Sequence, residues 1–123
     1  MKIAISSSGK DVDGDVSNVF GRCPYFIIAT IENNELKDYN YVKNEAMNQR
    51  GGAGTAAAQL IAEEDAKAVI STNIGPHAYD VLERLEIQMY KAKGKSIKEN
   101  IDLFIQDNLE KITEARSGRG RNR

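Results

Sequence analysis

Residues 50–90 read RGGAGTAAAQLIAEEDAKAVISTNIGPHAYDVLERLEIQMY, and their pattern decides the fold. Two periodicities alternate along them. Ala57, Leu60 and Ile61 share one helical face, and a short apolar strand follows at 67–71. Gly75 and Pro76 then open a second helix, the proline suited to a first turn whose amide hydrogens have no intrahelical partner. Ala78, Val81, Leu82 and Leu85 form its apolar stripe. A strand at 87–90 closes the stretch. Helices alternating with buried strands call for parallel pairing through right-handed crossovers. Gly54, Ala57, Leu60 and Ile61 also recur in form as Gly75, Ala78, Val81 and Leu82, a period of 21 residues. The recurrence gives glycine at a helix start a packing role: a small residue allows close approach before the bulky apolar positions.

On the N-terminal side the period changes. Residues 2–5 read as a short strand stopped by Ser6, Ser7, Ser8 and Gly9. Residues 24–31 are apolar and rich in β-branched side chains, a buried strand. Glu32-Asn33-Asn34-Glu35 forms a hairpin connection to a returning strand at 36–42, and 44–54 is loop. On the C-terminal side, Ile97, Ile101, Phe104, Ile105, Leu109 and Ile112 mark a final amphipathic helix. The expected architecture is a mixed five-stranded α/β sheet with three helices. One domain spans 1–113, followed by a disordered Arg/Gly-rich tail at 114–123.

Composition narrows the function. Hydrophobic residues make up 41% and charged residues 28% of 123 residues, an ordinary globular balance. Arg116, Arg119, Arg121 and Arg123 gather four of the 17 basic residues at the C-terminus. The first 115 residues thus carry 13 basic against 18 acidic side chains. Such a body argues against a nucleic-acid partner, since phosphate contacts need clustered Lys and Arg. The Arg-rich tail reads as a solubilising segment. No apolar run approaches bilayer length and no secretory signal opens the chain, so no membrane is expected. A single cysteine, Cys23, fits a cytoplasmic protein.

Several stretches carry residues that could support chemistry. Gly52-Ala53-Gly54-Thr55-Ala56-Ala57 satisfies G-x-G-x-x-A in form, but a long polar loop precedes it and no acid follows the next strand, a context that weakens the dinucleotide reading. A Walker loop lacks its lysine. Two readings remain for residues 50–54: tight packing at a helix start, or an anion site using Arg50, Gly51, Gly52, Gly54 and the helix dipole. Asp11, Asp13 and Asp15 alternate like a calcium loop, but the glycine is misplaced and Arg22 stands where the bidentate Glu belongs. No hydrolytic triad or carboxylate pair is evident. The expected chain directions bring the 6–22 loop, Cys23, residues 49–55 and residues 73–77 to one rim of the sheet. That is the carboxyl edge of the parallel strands, where open α/β sheets hold ligands. Cys23 and His77, the lone histidine, are the candidate metal ligands there.

The quoted stretch, with MKIAISSSG, VSNVFGRCPYFIIATIE and SIKENIDLFIQDNLEKI, resembles the dinitrogenase iron–molybdenum cofactor biosynthesis family, which includes NifX-type proteins and the C-terminal domain of NifB. The resemblance covers about residues 1–112 and is of the short, stand-alone archaeal kind. It implies a ribonuclease H-like fold with sheet order 3-2-1-4-5 and strand 2 antiparallel. It implies no nuclease activity, because the first strand carries no acid. It also implies a non-catalytic role, binding or carrying an iron–sulfur or iron–molybdenum-type cluster or its precursor between donor and acceptor proteins. Val19 departs from the family pattern, standing where many members have histidine, and this favours the alternative: a metal-free regulatory or scaffold domain. One Cys and one His do not complete a four-ligand site, so a cluster would need external ligands, a second subunit, or docking on Arg50 and backbone N–H groups. The sequence assigns no oligomeric state.

Overall fold

The computed structural model describes residues 1–114. The expected tail and its four arginines lie outside them, apart from Glu114. In chain order the elements are β1 (Lys2–Ser7), β2 (Tyr25–Glu32), β3 (Glu35–Lys43), α1 (Ala53–Glu63), β4 (Ala66–Ser71), α2 (Pro76–Arg84), β5 (Gln88–Lys91) and α3 (Ile97–Ile105). The strands form one sheet in the order β3-β2-β1-β4-β5. β2 is antiparallel to both β1 and β3, while β4 runs parallel to β1 and to β5. This is the mixed sheet expected from the residue pattern, in the strand order that the family resemblance implies.

Alternation along β1 explains the layers. Ile3 and Ile5 face one side with Ile27, Ile70, Ile97 and Ile101, the side covered by α3. Ala4 faces the other with Phe26, Ile28, Val69, Ala57, Ile61, Ala78 and Leu82, the side covered by α1 and α2. Each fully buried Ile or Leu contributes roughly 1.5–3 kcal/mol. Two such layers therefore hold the sheet without a disulfide. The β2–β3 hairpin turns at Asn33 and Asn34, with φ of 54° and 62°. Positive φ at both central residues matches the right-handed twist of the strands, and asparagine tolerates it.

The last element differs from expectation. α3 ends at Ile105, and Leu109 and Ile112 are not on it. Asp107 takes the left-handed conformation at φ 60°. Its N–H bonds Phe104 O at 3.0 Å and that of Asn108 bonds Leu103 O at 2.8 Å, a Schellman termination without glycine. The chain then runs beside β5: Lys91 N–H donates to Glu110 O and Ile112 N–H to Met89 O, both at 2.8 Å. Residues 110–112 thus shield part of an otherwise open sheet edge. Leu109 still fills the core beneath α3, and Ile112 packs on the opposite layer. Both apolar positions are used, but not on one helix.

Candidate functional site

The carboxyl ends of β1 and β4, the start of β2 and the end of β3 meet on one rim. A cleft of about 370 Å³ opens there. One wall is Val19, Phe20, Gly21 and Arg22. A second is Gly52 to Thr55 at the start of α1, and the third is Asn73 with Gly75, Pro76, His77 and Ala78 at the start of α2.

Close backbone approach builds the walls. A Cβ placed on Gly21 would stand 2.9 Å from both Cα and N of Gly54. One placed on Gly54 would stand 3.0 Å from the Ala78 Cβ. The 19–22 loop, α1 and α2 are therefore stacked through three small residues. The packing role assigned to Gly54 is real. The helix starts match differently from the 21-residue repeat: Gly75 is the N-cap of α2, and its counterpart in α1 is Gly52, at φ 72°. Gly54 lies inside the first turn of α1, and its partner is Ala78.

Gly75 is another matter. Its φ is −73°, and a Cβ there would meet nothing within 4 Å. Neither conformation nor packing requires glycine at this position on the cleft wall.

Hydrogen bonds lace the walls together. Phe20 N–H donates to Asn73 O at 3.1 Å, and Asn73 Nδ2 to Asn18 O at 2.7 Å. The fully buried Asn44 donates through Nδ2 to Gly21 O at 3.1 Å and Cys23 O at 2.8 Å. Its Oδ1 accepts from Ala46 N–H. Arg22 crosses to the glycine loop, its Nη1 donating to Met47 O at 3.0 Å and Gln49 O at 2.8 Å. These polar residues escaped the sequence reading, because their value lies in pairing with distant backbone rather than in any local motif.

The electrostatics favour an anion. α1 and α2 both point their N-termini into the cleft. Neither carries an acid in its first turn, and neither N-cap glycine supplies a side-chain cap. First-turn N–H groups have no intrahelical carbonyl, so they are aimed at whatever lies in front of them.

The structure distributes the expected site residues unequally. Gly52, Gly54 and the exposed His77 line the cleft. Arg50 and Gly51 are exposed on the loop leading to it and do not line it, and the arginine on the wall is Arg22. Cys23 is not brought to the surface. It is 0% exposed, packed with Phe20 and Phe26 in the core. Burial pushes its thiol up to about 11, against smaller opposing effects from hydrogen bonds with Ser7, Ser6 and Asn44. Sγ lies 3.4 Å from Phe20 O, the geometry of a protonated donor. Among the described residues no group of three or more His, Cys, Asp and Glu could hold a metal ion, the Asp11–Asp13–Asp15 ladder included. Asp11 Oδ1 instead accepts the N–H of Asp13 in a local turn.

Fold and cleft together define a small α/β domain with a ligand-sized opening at the carboxyl edge of its parallel strands. The chain belongs to the dinitrogenase iron–molybdenum cofactor family, whose model matches residues 1–107. It is 42% identical over 113 residues to an uncharacterised protein of Methanocaldococcus jannaschii, covering 91% of this chain and 96% of that one. It is similar to the solution structure of a candidate NifB protein from Thermotoga, with a TM-score of 0.81 and 28% identity, covering 95% of this chain and 97% of that one. The apo form of the orange protein from Desulfovibrio gigas shares the fold, with a TM-score of 0.86 at 24% identity over 94% of this chain and 96% of that one. Family membership associates the chain with the iron–molybdenum cofactor, its binding or its biosynthesis. No described helix is long and apolar enough to cross a membrane.

Proposed function

We propose that this protein binds and carries, without catalysing a reaction, an anionic metal–sulfur cluster of the iron–molybdenum type or its precursor. One observation carries the reading: two uncapped, acid-free helix N-termini open on the same cleft. Each helix end favours a nearby negative charge by roughly 0.3–1 kcal/mol, more where the site is partly buried. The donor set fits a preassembled cluster that keeps its own outer ligands. His77 offers a single imidazole, Cys23 is enclosed and protonated, and the remaining cleft donors are N–H groups and the Thr55 hydroxyl. Gly52, Gly54 and His77 are the contact residues, with Arg50 and Gly51 beside them on the loop. Cargo held this way leaves by exchange of hydrogen bonds rather than by breaking metal–thiolate bonds, which suits transfer between donor and acceptor proteins. The ribonuclease H-like label belongs to the same reading, without a nuclease role, since Lys2–Ser7 carries no acid.

Anaerobic incubation with purified iron–molybdenum cofactor, then gel filtration with metal analysis, tests it. Co-elution of molybdenum with wild-type protein, weakened by His77→Ala, is the expected result. No metal on the wild-type protein sinks the reading. The alternative, a metal-free regulatory or scaffold domain, is favoured by Val19, which leaves an apolar side chain 44% exposed on the cleft rim. In that case His77→Ala and Val19→Asp would weaken capture of a protein partner while metal never binds.

A further inference from the structure

We infer that Arg22 is the positioning residue of the cleft: it sets the glycine loop so that the α1 amides face the ligand. The inference rests on the anion-binding reading of the cleft and adds the device that shapes it.

Residues 48–52 are exposed. A Cβ on Gly51 would touch nothing, and one on Gly52 would come no closer than 3.5 Å to the Gln49 side chain. Packing therefore does not hold residues 48–52, and hydrogen bonds must. Gln49 Nε2 donates to Gly51 O at 2.8 Å within the loop. From outside, Arg22 gathers the carbonyls of Met47 at 3.0 Å, Gln49 at 2.8 Å and Arg50 at 3.5 Å onto one guanidinium. The origin of that side chain is fixed as well. Gly21, its neighbour, lies against Gly54, and Asn44 holds Gly21 O and Cys23 O on either side.

Two consequences follow. The three carbonyl oxygens carry partial negative charge just ahead of the α1 N-terminus, and Arg22 turns them toward itself and neutralises them. An anion then meets N–H groups rather than carbonyls. The guanidinium also ties the first wall to the loop that leads into the second, while the contact of Gly21 with Gly54 sets how closely the two walls approach. A planar fork serves several fixed acceptors at once, whereas a lysine ammonium is a point charge on a flexible stem.

The test uses full-length Arg22→Lys and Arg22→Gln. Apo amide ¹H–¹⁵N shifts of residues 51–54 are measured, and affinity for purified iron–molybdenum cofactor is measured anaerobically. Both variants are expected to keep the melting temperature within a few degrees, to move the loop amides while leaving β1 and β4 amides in place, and to bind about tenfold or more weakly. Arg22→Lys binding within about twofold of wild type would mean a simple charge contact and overturn the inference. Unmoved loop amides would overturn it equally. Should the wild-type protein bind no cofactor, the cluster reading falls, and the loop amides alone judge whether Arg22 sets the loop.

Discussion

Gly21 and Gly54, 33 positions apart in sequence, meet backbone to backbone: a Cβ on Gly21 would lie 2.9 Å from both Cα and N of Gly54. A methyl group there has only main chain to displace. Gly21→Ala should cost about 2–3 kcal/mol or more, the upper range for overpacking, since no side chain can rotate away. Urea denaturation checks the magnitude. Cleft ligands should also bind more weakly, because the wall and the helix start are forced apart.

The Gly54–Ala78 contact is softer, side chain against Cα. Gly54→Ala gains up to about 1 kcal/mol of helix propensity and loses about 1–3 kcal/mol to crowding at 3.0 Å. In an Ala78→Gly background the crowding disappears and the same substitution should become neutral or stabilising. A double-mutant cycle is expected to show a coupling of roughly 1–2 kcal/mol. Additive effects would mean that the two helix starts do not press on each other.

Gly75 separates packing from ligand approach. With open space around its missing Cβ and φ at −73°, Gly75→Ala should cost less than about 1 kcal/mol in stability, chiefly from the weaker N-cap. If cargo seats against this backbone, affinity should fall at least about fivefold, roughly 1 kcal/mol. Unchanged binding would move the ligand away from the α2 start.

Cys23 should be silent in the native state. Alkylation by iodoacetamide at neutral pH is expected to proceed only as fast as the protein opens, because the thiol is enclosed and held protonated. The pH sign follows from the raised value. The unfolded thiol ionises near 9.0 and the folded one near about 11. The unfolded chain therefore loses its proton first as pH rises. The contribution is fully present below 9.0, declines as pH climbs toward about 11, and is spent above it. Between about pH 8 and pH 11, wild type should lose more melting temperature than Cys23→Ala. Equal losses, or rapid native alkylation, would contradict the burial described.

The three helices among the described residues each end on a side-chain-bearing residue in the left-handed region: Asp65 at φ 64°, Glu86 at 60° and Asp107 at 60°. This conformation costs an L-residue roughly 1–2 kcal/mol, and glycine avoids most of it. Glu86→Gly and Asp107→Gly should each stabilise by about 0.5–1 kcal/mol after the extra chain entropy of glycine is subtracted. Thermal melts would show a rise of a few degrees for each. A fall at Asp107 would point to a side-chain role not evident in its contacts.

Those helix ends also explain why α3 is shorter than its apolar pattern predicts. Without a glycine after Ile105, the apolar positions up to Ile112 fit a continued helix. The Schellman bonds at Asp107 and the pairing of 110–112 with β5 are decided by neighbours far along the chain. The cleft shows the same division. Gly52, Gly54 and His77 were legible as candidates because glycine at a helix start and an unusual side chain stand out locally. Arg22 and Asn44 were not, since an arginine or asparagine takes meaning only from the carbonyls it reaches.

By itself, the sequence determined the alternation of strands and helices, the hairpin at Asn33–Asn34, the strand directions and the rim on which the loops converge. These follow from side-chain periodicity and backbone restrictions, which act within a few residues. Tertiary structure alone decided which groups on that rim face outward. Cys23 turned inward because an apolar pocket gains more from a thiol than water does. Arg22 rather than Arg50 lies on the cleft wall because its loop is packed there by the contact between Gly21 and Gly54. Orientation at a rim is set by close packing between distant segments, and no local pattern encodes that.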